Sequence, residues 1–345
     1  MRKSNVLALT FVAGAGLTGL IGAARAQNLT AAGASFPDPI YERWFAEYHK
    51  AHPSVQINYQ GPGSGAGIKQ LTEGTIDFGA SDMPMKDAQI AAIKVHTLHF
   101  PTVLGGVVVT YNLPGVTQDV KLTPELIAGI FMGNITSWQD PKIARENAGV
   151  KFPKLDILVV HRSDNSGTSF VFTDYLNKVS PAWKSKVGPA DTAVKWPTGS
   201  GAAQNAGVAG LVKQQEGAIG YVELIYALSN KMPYAWIKNS SGTFLKPTLE
   251  SVTAAAAGAA KNMPADFRVS ITDAPGKDAY PISTFTYLLI PESFKDKAKE
   301  KVVVDFLKWM LTAGEKEVAD HPELGYAPLP KSVIDKETKQ IAQIK

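Results

Sequence analysis

One segment in the middle of the chain places an arginine, hydroxyl groups and a glycine where a strand turns into a helix. The apolar run 157–160 predicts a strand, and the apolar spacing over 170–176 predicts a helix after residues 161–168, His-Arg-Ser-Asp-Asn-Ser-Gly-Thr. Backbone N–H groups at such a turn lie at the positive end of the helix dipole and can bind an anion. Arg162 can add two parallel hydrogen bonds to an oxyanion, and Asp164 is close enough in sequence to hold its guanidinium. Taken alone, the segment is more simply explained as a capped helix beside one exposed arginine.

Two other predicted strand-to-helix turns carry the same chemistry. The first contains Gly33, Ser35 and Phe36, and the second is the glycine-rich run 61–67, which contains Ser64. Each turn offers glycine for close backbone approach and a hydroxyl at the start of a helix. In open α/β sheets, ligands bind beyond the carboxyl ends of the strands, where all three turns lie. The three turns together therefore favour one small oxyanion site over three unrelated helix caps.

Asp82 follows a third predicted strand and is unusual beside an anion, because a carboxylate repels negative charge. It is explained if the ligand carries a proton. Phosphate near neutral pH keeps at least one P–OH group, which can donate to a carboxylate, whereas sulfate is fully ionised and would leave Asp82 buried and unpaired. That difference is large enough to separate two anions of the same shape. The alternative, in which Asp82 only caps a turn, stays open at this point.

Short β-type runs alternate with helical runs along the chain, which is typical of an α/β fold. The predicted strands are 29–34, 55–59, 76–80, 107–111, 157–160, 218–222 and 284–290. The predicted helices begin near Pro37 or Pro39 with Ser35 as the cap, after Gly67, at 123–125 with an end at Gly133, and over 204–215, 293–312 and 331–344. A glycine-rich loop is expected at 198–201, and an alanine-rich helix at 254–260.

The N-terminus predicts a signal peptide. Basic residues precede an apolar, small-residue stretch, and Ala24-Arg25-Ala26 fits a cleavage site, so residues 1–26 are assigned to the signal and a membrane anchor is the less favoured alternative. The chain has no cysteine, which excludes disulfides, cysteine-ligated metals and a cysteine-linked lipid. We therefore expect a soluble periplasmic protein. The remaining length favours two domains over one.

The charge of the chain does not indicate nucleic-acid binding. The formal net charge is +4, and it falls to about +1 when the three basic residues of the signal are removed. No basic stripe or basic–aromatic pattern is present in the sequence. We do not expect nucleic acid as a partner.

Several motifs, in order along essentially the whole mature chain, are similar to those of the periplasmic phosphate-binding proteins of high-affinity phosphate ABC transporters. They are residues 33–37 (Gly-Ala-Ser-Phe-Pro), 63–64 (Gly-Ser), 77–82 (Asp-Phe-Gly-Ala-Ser-Asp), 100–103 (Phe-Pro-Thr-Val), 166–170 (Ser-Gly-Thr-Ser-Phe) and 217–221 (Gly-Ala-Ile-Gly-Tyr). The resemblance implies a type II two-domain periplasmic binding protein, with a ligand cleft between domains joined by a two-segment hinge. It implies domain I at 27–108 and 281–345 and domain II at 109–280.

The resemblance also implies the site and the partners. The phosphate-binding residues are expected to be Ser35, Phe36, Ser64, Asp82, Arg162, Ser166, Gly167 and Thr168, with Asp164 pairing with the arginine. A binding protein of this family captures inorganic phosphate, acts as a monomer and delivers the anion to a membrane permease. It needs no cofactor and no metal.

Other functions are less well supported by the sequence. No Gly-x-Ser-x-Gly elbow surrounds the candidate serines, and the histidine pairs 49/52 and 96/99 lack a zinc-protease pattern and are expected on surface helices or loops. His161 is expected to be a strand-end residue rather than a charge beside the anion. The run 61–66 matches a dinucleotide fingerprint only weakly. A secreted phosphatase on the same scaffold and a receptor for sulfate or molybdate are the alternatives to test.

Overall fold

The computed structural model describes residues 27–345. The predicted signal peptide at 1–26 lies outside the described residues. The strands within the described part are β1 (Gln27–Gly33), β2 (Val55–Gln60), β3 (Phe78–Ser81), β4 (Thr97–Tyr111), β5 (Lys121–Leu122), β6 (Leu158–Arg162), β7 (Ser200–Ala202), β8 (Ala218–Glu223), β9 (Trp236–Lys238), β10 (Phe244–Leu245) and β11 (Ser283–Pro291).

The helices of the same part of the chain fill most of the connections between these strands. They are α1 (Asp38–Ala51), α2 (Ser64–Glu73), α3 (Asp87–Ala92), α4 (Pro124–Phe131), α5 (Pro141–Glu146), α6 (Gly167–Val179), α7 (Pro181–Val187), α8 (Gln204–Gln214), α9 (Leu224–Ser229), α10 (Leu249–Lys261), α11 (Lys297–Trp309), α12 (Glu315–Asp320) and α13 (Lys331–Gln340). None of them combines the length and the apolar character needed to cross a membrane. The predicted α/β class is confirmed.

Eight strands form one mixed sheet in the order β2-β1-β3-β11-β4-β8-β6-β7. Strands β2, β1 and β3 run parallel at one end, and β8, β6 and β7 run parallel at the other. Strand β4 joins the two halves, because β11 pairs with it up to Gly106 and β8 pairs with it from Val107 onward. Its fifteen residues are all buried, as expected for a strand covered on both faces.

Each of the three predicted anion-binding turns lies at the carboxyl end of a parallel strand. Strand β1 leads into α1, β2 leads into α2, and β6 leads into α6. Two of these strands belong to one half of the sheet and the third to the other half. The fold therefore places the turns around the middle of the sheet, on either side of β4.

The second of these turns requires a glycine for conformational reasons. Gly63 has φ +115°, a conformation that residues with a side chain rarely adopt. A Cβ at Gly63 would also lie 2.7 Å from the Asp164 carboxylate and 2.8 Å from the Asn165 carbonyl oxygen. The missing side chain thus lets the second turn approach the third.

Some predicted elements are wrong at their ends. Strand β4 begins at Thr97, ten residues before the predicted start, because Pro101 is accommodated at a register shift opposite Thr286 and Tyr287. The helix predicted over 293–312 begins only after the cap at Asp296 and changes into a π-helical turn at Met310–Gly314. The helix predicted over 331–344 is α-helical only to Gln340, after which a 3₁₀ turn follows.

Three further expectations need correction. Part of the loop expected at 198–201 pairs as the edge strand β7. The cap predicted at Ser35 is absent, since α1 begins at Asp38 and Pro37 makes no side-chain cap. His99 is not a surface histidine: it is buried in β4, and its Nε2 accepts a hydrogen bond from the Met85 N–H (3.0 Å). Burial lowers the pKa of His99 to about 4, so the ring is neutral.

Candidate functional site

The three turns meet through direct hydrogen bonds between their backbones. The Gly63 N–H donates to the Gly33 carbonyl (2.8 Å), which joins the first turn to the second. The Gly65 N–H donates to the Asn165 carbonyl (2.9 Å), which joins the second turn to the third. The predicted site residues on the three turns are therefore neighbours in space.

Ser64, Asp82 and Gly167 form the centre of this arrangement. The Ser64 hydroxyl oxygen accepts a hydrogen bond from the Asp82 N–H at 3.1 Å. A Cβ at Gly167 would lie 2.1 Å from the Ser64 Oγ and 2.4 Å from the Asp82 Oδ2, so only glycine fits here. Ser64 and Asp82 are both at most 1% exposed.

The Asp82 carboxylate has one satisfied oxygen and one free oxygen. Thr286, on β11, donates to Oδ1 at 2.8 Å. Oδ2 is buried and has no hydrogen-bond partner within residues 27–345. Burial raises the pKa of Asp82 to about 7, even though the Thr286 hydrogen bond and the positive charge of Arg162 both act to lower it. An unsatisfied buried oxygen is costly, and it indicates a ligand that can hydrogen bond to it.

Arg162 is the last residue of β6 and is held in place from several directions. Its Nε donates to the Asp164 Oδ1 (2.7 Å) and its Nη2 to the Asp164 Oδ2 (2.5 Å), a two-pronged pair. Its Nη1 donates to the Thr168 hydroxyl (3.2 Å), and its backbone N–H donates to the Tyr221 hydroxyl (3.1 Å). Because a guanidinium has five N–H groups, one remains on each terminal nitrogen for a ligand. The exposed arginine of the simpler interpretation is absent, as Arg162 is 3% exposed.

The N-terminus of α6 supplies backbone donors next to the arginine. Ser166 caps the helix by accepting from the Ser169 N–H at 3.0 Å. The N–H groups of Gly167 and Thr168, in the first turn, have no partner inside the helix. They and the helix dipole favour an anion at this position.

The first turn is held by tyrosine hydroxyls from distant parts of the chain. Tyr226 donates to the Ser35 carbonyl (2.6 Å), and Tyr326 donates to the Phe36 carbonyl (2.7 Å). The ring of Phe36 is fully buried against Gly105, where a Cβ would lie 2.5 Å from it. These contacts fix the backbone of Ser35 and Phe36 beside the other turns.

His161 lies beside Arg162 in sequence but points elsewhere. Its ring stacks on Trp196 with centroids 5.0 Å apart and planes at 12°, and Nδ1 contacts the carbonyl of Arg162 at 3.1 Å. Burial lowers the pKa of His161. It is a strand-end residue, as expected.

Three buried residues of the site were not predicted: Asn205, Glu223 and Thr286. Thr286 is one of several hydroxyl-bearing residues in the first half of β11, so its position in the sequence did not distinguish it. Asn205 and Glu223 contact each other through the Asn205 Oδ1, which accepts from the Glu223 N–H at 3.0 Å. Burial raises the pKa of Glu223 well above its usual value. Nothing in the local sequence marked these two residues.

Within residues 27–345, no three His, Cys, Asp or Glu side chains are grouped closely enough to hold a metal ion. The groups of the candidate site are neutral donors, the Arg162–Asp164 pair and the carboxyl groups of Asp82 and Glu223.

This combination of an α/β fold and a buried anion site defines a class of ligand-binding proteins. A family model described as the PBP superfamily domain matches residues 20–313 of the chain. The match spans more than half of the sequence, so the superfamily is established.

Similarity to individual proteins narrows the class. A phosphate-binding protein PstS from Xylella fastidiosa (strain Temecula1) is 44% identical over 308 residues, which cover 89% of this chain and 83% of the relative. A phosphate-binding protein PstS from Haemophilus influenzae (strain Rd) is 39% identical over 336 residues, covering 97% and 96% of the two chains. The chain therefore belongs to the PstS family of phosphate-binding proteins.

Solved structures agree with this fold. The periplasmic phosphate-binding protein PfluDING, solved with bound phosphate, matches with a TM-score of 0.73 and 20% identity over 91% of this chain and 93% of that one. A phosphate-binding protein from Stenotrophomonas maltophilia matches with a TM-score of 0.69 and 22% identity over 91% and 93%. The predicted fold, that of a type II two-domain periplasmic binding protein, is confirmed.

Proposed function

We propose that this protein captures inorganic phosphate in the cleft between its two domains and delivers it to the permease of an ABC transporter. The observation that carries the proposal is the buried Asp82 Oδ2, which lacks a partner within residues 27–345 and lies beside a cluster of anion-binding donors. The proposed ligand contacts are Ser35, Phe36, Ser64, Asp82, Arg162, Ser166, Gly167 and Thr168, with Asp164 orienting the arginine.

The donors in this cluster suit a tetrahedral oxyanion. Arg162 provides a charge that is already paired with Asp164, so the ligand's negative charge is met mainly by neutral hydroxyl and backbone N–H groups. The free oxygen of Asp82 then accepts from a P–OH group. Sulfate has no hydrogen to donate, and the ionised Asp82 would face it as an unpaired charge.

The proposed domains, 27–108 with 281–345 and 109–280, meet at β4 and at the segment before β11. This division is supported by the change of partner strand between Gly106 and Val107. Opposite this junction the two parts contact each other across the cleft. Gln204 donates to the Gly61 carbonyl (2.8 Å), and Lys86 pairs with Asp191 (2.7 Å). All of the proposed ligand contacts are buried in this arrangement, which supports closure of the domains over phosphate.

Calorimetric titration of the purified, phosphate-free protein tests the proposal. We expect one phosphate per chain and no displacement of phosphate by an equal concentration of sulfate. Absence of phosphate binding, or equal competition by sulfate, would contradict the proposal. We infer that binding occurs without turnover, and steady release of phosphate from p-nitrophenyl phosphate would instead support the phosphatase alternative.

Transport and localisation are tested in cells. We propose that the mature chain begins at Gln27 and is a periplasmic monomer. Recovery in the osmotic-shock fraction, an N-terminal sequence starting at Gln27 and a light-scattering mass of one chain are the expected results. Deleting the gene should abolish high-affinity uptake of labelled phosphate, and unchanged uptake would argue against delivery to a permease.

A further inference from the structure

Asn205 occupies the second position of α8 and is completely buried between two of the anion-binding turns. Its Nδ2 donates to the Ser35 hydroxyl oxygen (3.2 Å) and to the Thr168 hydroxyl oxygen (3.1 Å). Ser35 belongs to the proposed domain I, whereas Thr168 and Asn205 belong to the proposed domain II. One amide nitrogen thus contacts a hydroxyl from each side of the cleft.

The orientation of the Asn205 amide is fixed by its other end. Its Oδ1 accepts from the Glu223 backbone N–H at 3.0 Å. A backbone N–H can only donate, so the oxygen of the amide must face Glu223 and the NH₂ group must face the two hydroxyls. The opposite orientation would place two donors together.

This orientation determines which way the Thr168 hydroxyl points. Its oxygen accepts from the Asn205 Nδ2 and also from the Arg162 Nη1 at 3.2 Å. A hydroxyl oxygen has two lone pairs, and both are then occupied. The Thr168 hydrogen must therefore be donated to a third group.

The hydrogen of the Ser35 hydroxyl is constrained in the same way as that of Thr168. Because Asn205 donates to it, its hydrogen cannot point back at the amide nitrogen. Both hydroxyls lie on turns that the proposed function assigns to phosphate. Their hydrogens are thus set to meet an acceptor before any ligand arrives.

We propose that Asn205 is a positioning residue that orients the Ser35 and Thr168 hydroxyls as hydrogen-bond donors to phosphate and joins them across the closed cleft. The inference rests on the proposed function and deepens it. Asn205 selects for a ligand that offers acceptors at these two positions, while Asp82 offers the acceptor for the ligand's own hydrogen. Ser35 and Thr168 thereby act as defined donors to the ligand, and Asp82 acts as a defined acceptor.

The substitution Asn205→Asp tests this role, because it keeps the size of the side chain and replaces the NH₂ group by an oxygen. The Ser35 and Thr168 hydroxyls would then donate to residue 205 and be lost to phosphate. We expect the dissociation constant for phosphate to rise by about 100-fold, against about tenfold for Asn205→Ala, which leaves the hydroxyls free to turn.

Coupling to the two hydroxyls separates positioning from a general structural effect. In a Ser35→Ala, Thr168→Val background, Asn205→Ala should change phosphate affinity by less than about twofold, because the groups on which it acts are gone. An equal loss in both backgrounds would overturn the inference. The Asn205→Ala cycle decides the question even if the aspartate variant fails to fold.

Asn147 provides the matched control. It is also a buried asparagine whose side chain bonds to backbone groups, but it lies away from the site, against Lys121 and Ile143. Asn147→Asp should lower the melting temperature and leave phosphate affinity unchanged. If the wild-type protein binds no phosphate, the proposed function itself is wrong. If Asn205→Asp binds phosphate as tightly as the wild type, only the inference about Asn205 is wrong.

Discussion

The candidate site has an arginine side, at Arg162, and an aspartate side, at Asp82. The two side chains carry opposite charges and differ in how completely each is paired within the protein. On one side, Arg162 is paired through two hydrogen bonds with Asp164, so its charge is largely balanced before a ligand binds. On the other side, Asp82 has one oxygen bonded to Thr286 and one without a partner within residues 27–345. Both Arg162 and Asp82 are almost completely buried.

This difference in pairing assigns the affinity for anions to the arginine side and the selectivity between anions to the aspartate side. The arginine side can attract any small oxyanion, because a guanidinium and backbone N–H groups bind acceptors of any kind. The aspartate side is satisfied only by a ligand that donates a hydrogen. The following changes test each side in turn.

Removing the charge on the arginine side should have the largest effect. Arg162→Met leaves Asp164 as an uncompensated carboxylate near Asp82, and we expect phosphate affinity to fall by about 1,000-fold in calorimetric titration. Arg268→Met is the matched control, since Arg268 pairs with Asp87 and Asp266 outside the site. A loss of less than tenfold in Arg162→Met would show that the arginine side does not supply the affinity.

Obstructing the contact between the two sides should have the next largest effect. Gly167→Ala would place a methyl group within 2.4 Å of both the Ser64 Oγ and the Asp82 Oδ2, so the turns must separate. We expect phosphate affinity to fall by about 100-fold. Gly210→Ala, in α8 with open space around the added carbon, should bind as the wild type does. Unchanged affinity in Gly167→Ala would mean that the turns need not meet.

Changing the aspartate side should alter selectivity more than affinity. Asp82→Asn replaces the free acceptor by a group that can donate to sulfate, so the ratio of the sulfate to the phosphate dissociation constant should fall by about 30-fold. Asp77→Asn serves as control, because Asp77 pairs with Lys299 at the opposite end of β3 from Asp82. If Asp82→Asn still discriminates against sulfate as the wild type does, Asp82 does not determine the selectivity.

Lowering the pH should change selectivity in the same direction as Asp82→Asn, but by a smaller factor. The pKa of Asp82 is raised to about 7, so the carboxyl group is ionised above pH 7 and increasingly protonated below it. A protonated Asp82 can donate to sulfate, whereas phosphate can donate or accept in either case. Sulfate affinity relative to phosphate should therefore rise about tenfold from pH 8 to pH 6, measured by competition titration. Asp82→Asn should show no such change, and a flat profile in the wild type would contradict the prediction.

The sequence allowed much of the site to be predicted because its main parts are local. Arg162, Asp164 and Ser166 lie within five residues, so the turn that holds them could be inferred from composition and spacing. The parallel strands before each turn were recognisable from short apolar runs. Strand β6 runs opposite to β1 and β2, so the meeting of the three turns depends on how both halves of the sheet pair with β4, which the local patterns did not contain.

The missed parts depend on contacts between distant segments. Thr286 reaches Asp82 across 204 positions of sequence, and Asn205 reaches Ser35 across 170. Likewise, the sequence predicted a strand only at 107–111, but pairing with β11 over a bulge extends β4 back to Thr97. Local preference is overruled in such cases by tertiary pairing, which single-sequence patterns do not contain.

The division of β4 between its partner strands β11 and β8 also affects how the two halves of the sheet can rotate relative to each other. Its residue pairing with β11 ends at Gly106 and its pairing with β8 starts at Val107, although the Val107 N–H still donates to the carbonyl of Ile282 (2.9 Å), directly before β11. A twist concentrated at that one peptide would turn the two halves of the sheet against each other while each kept its own pairing. Rotation of the two halves about this point of β4 would therefore disturb one backbone hydrogen bond, that of Val107, and leave both sets of paired residues in register.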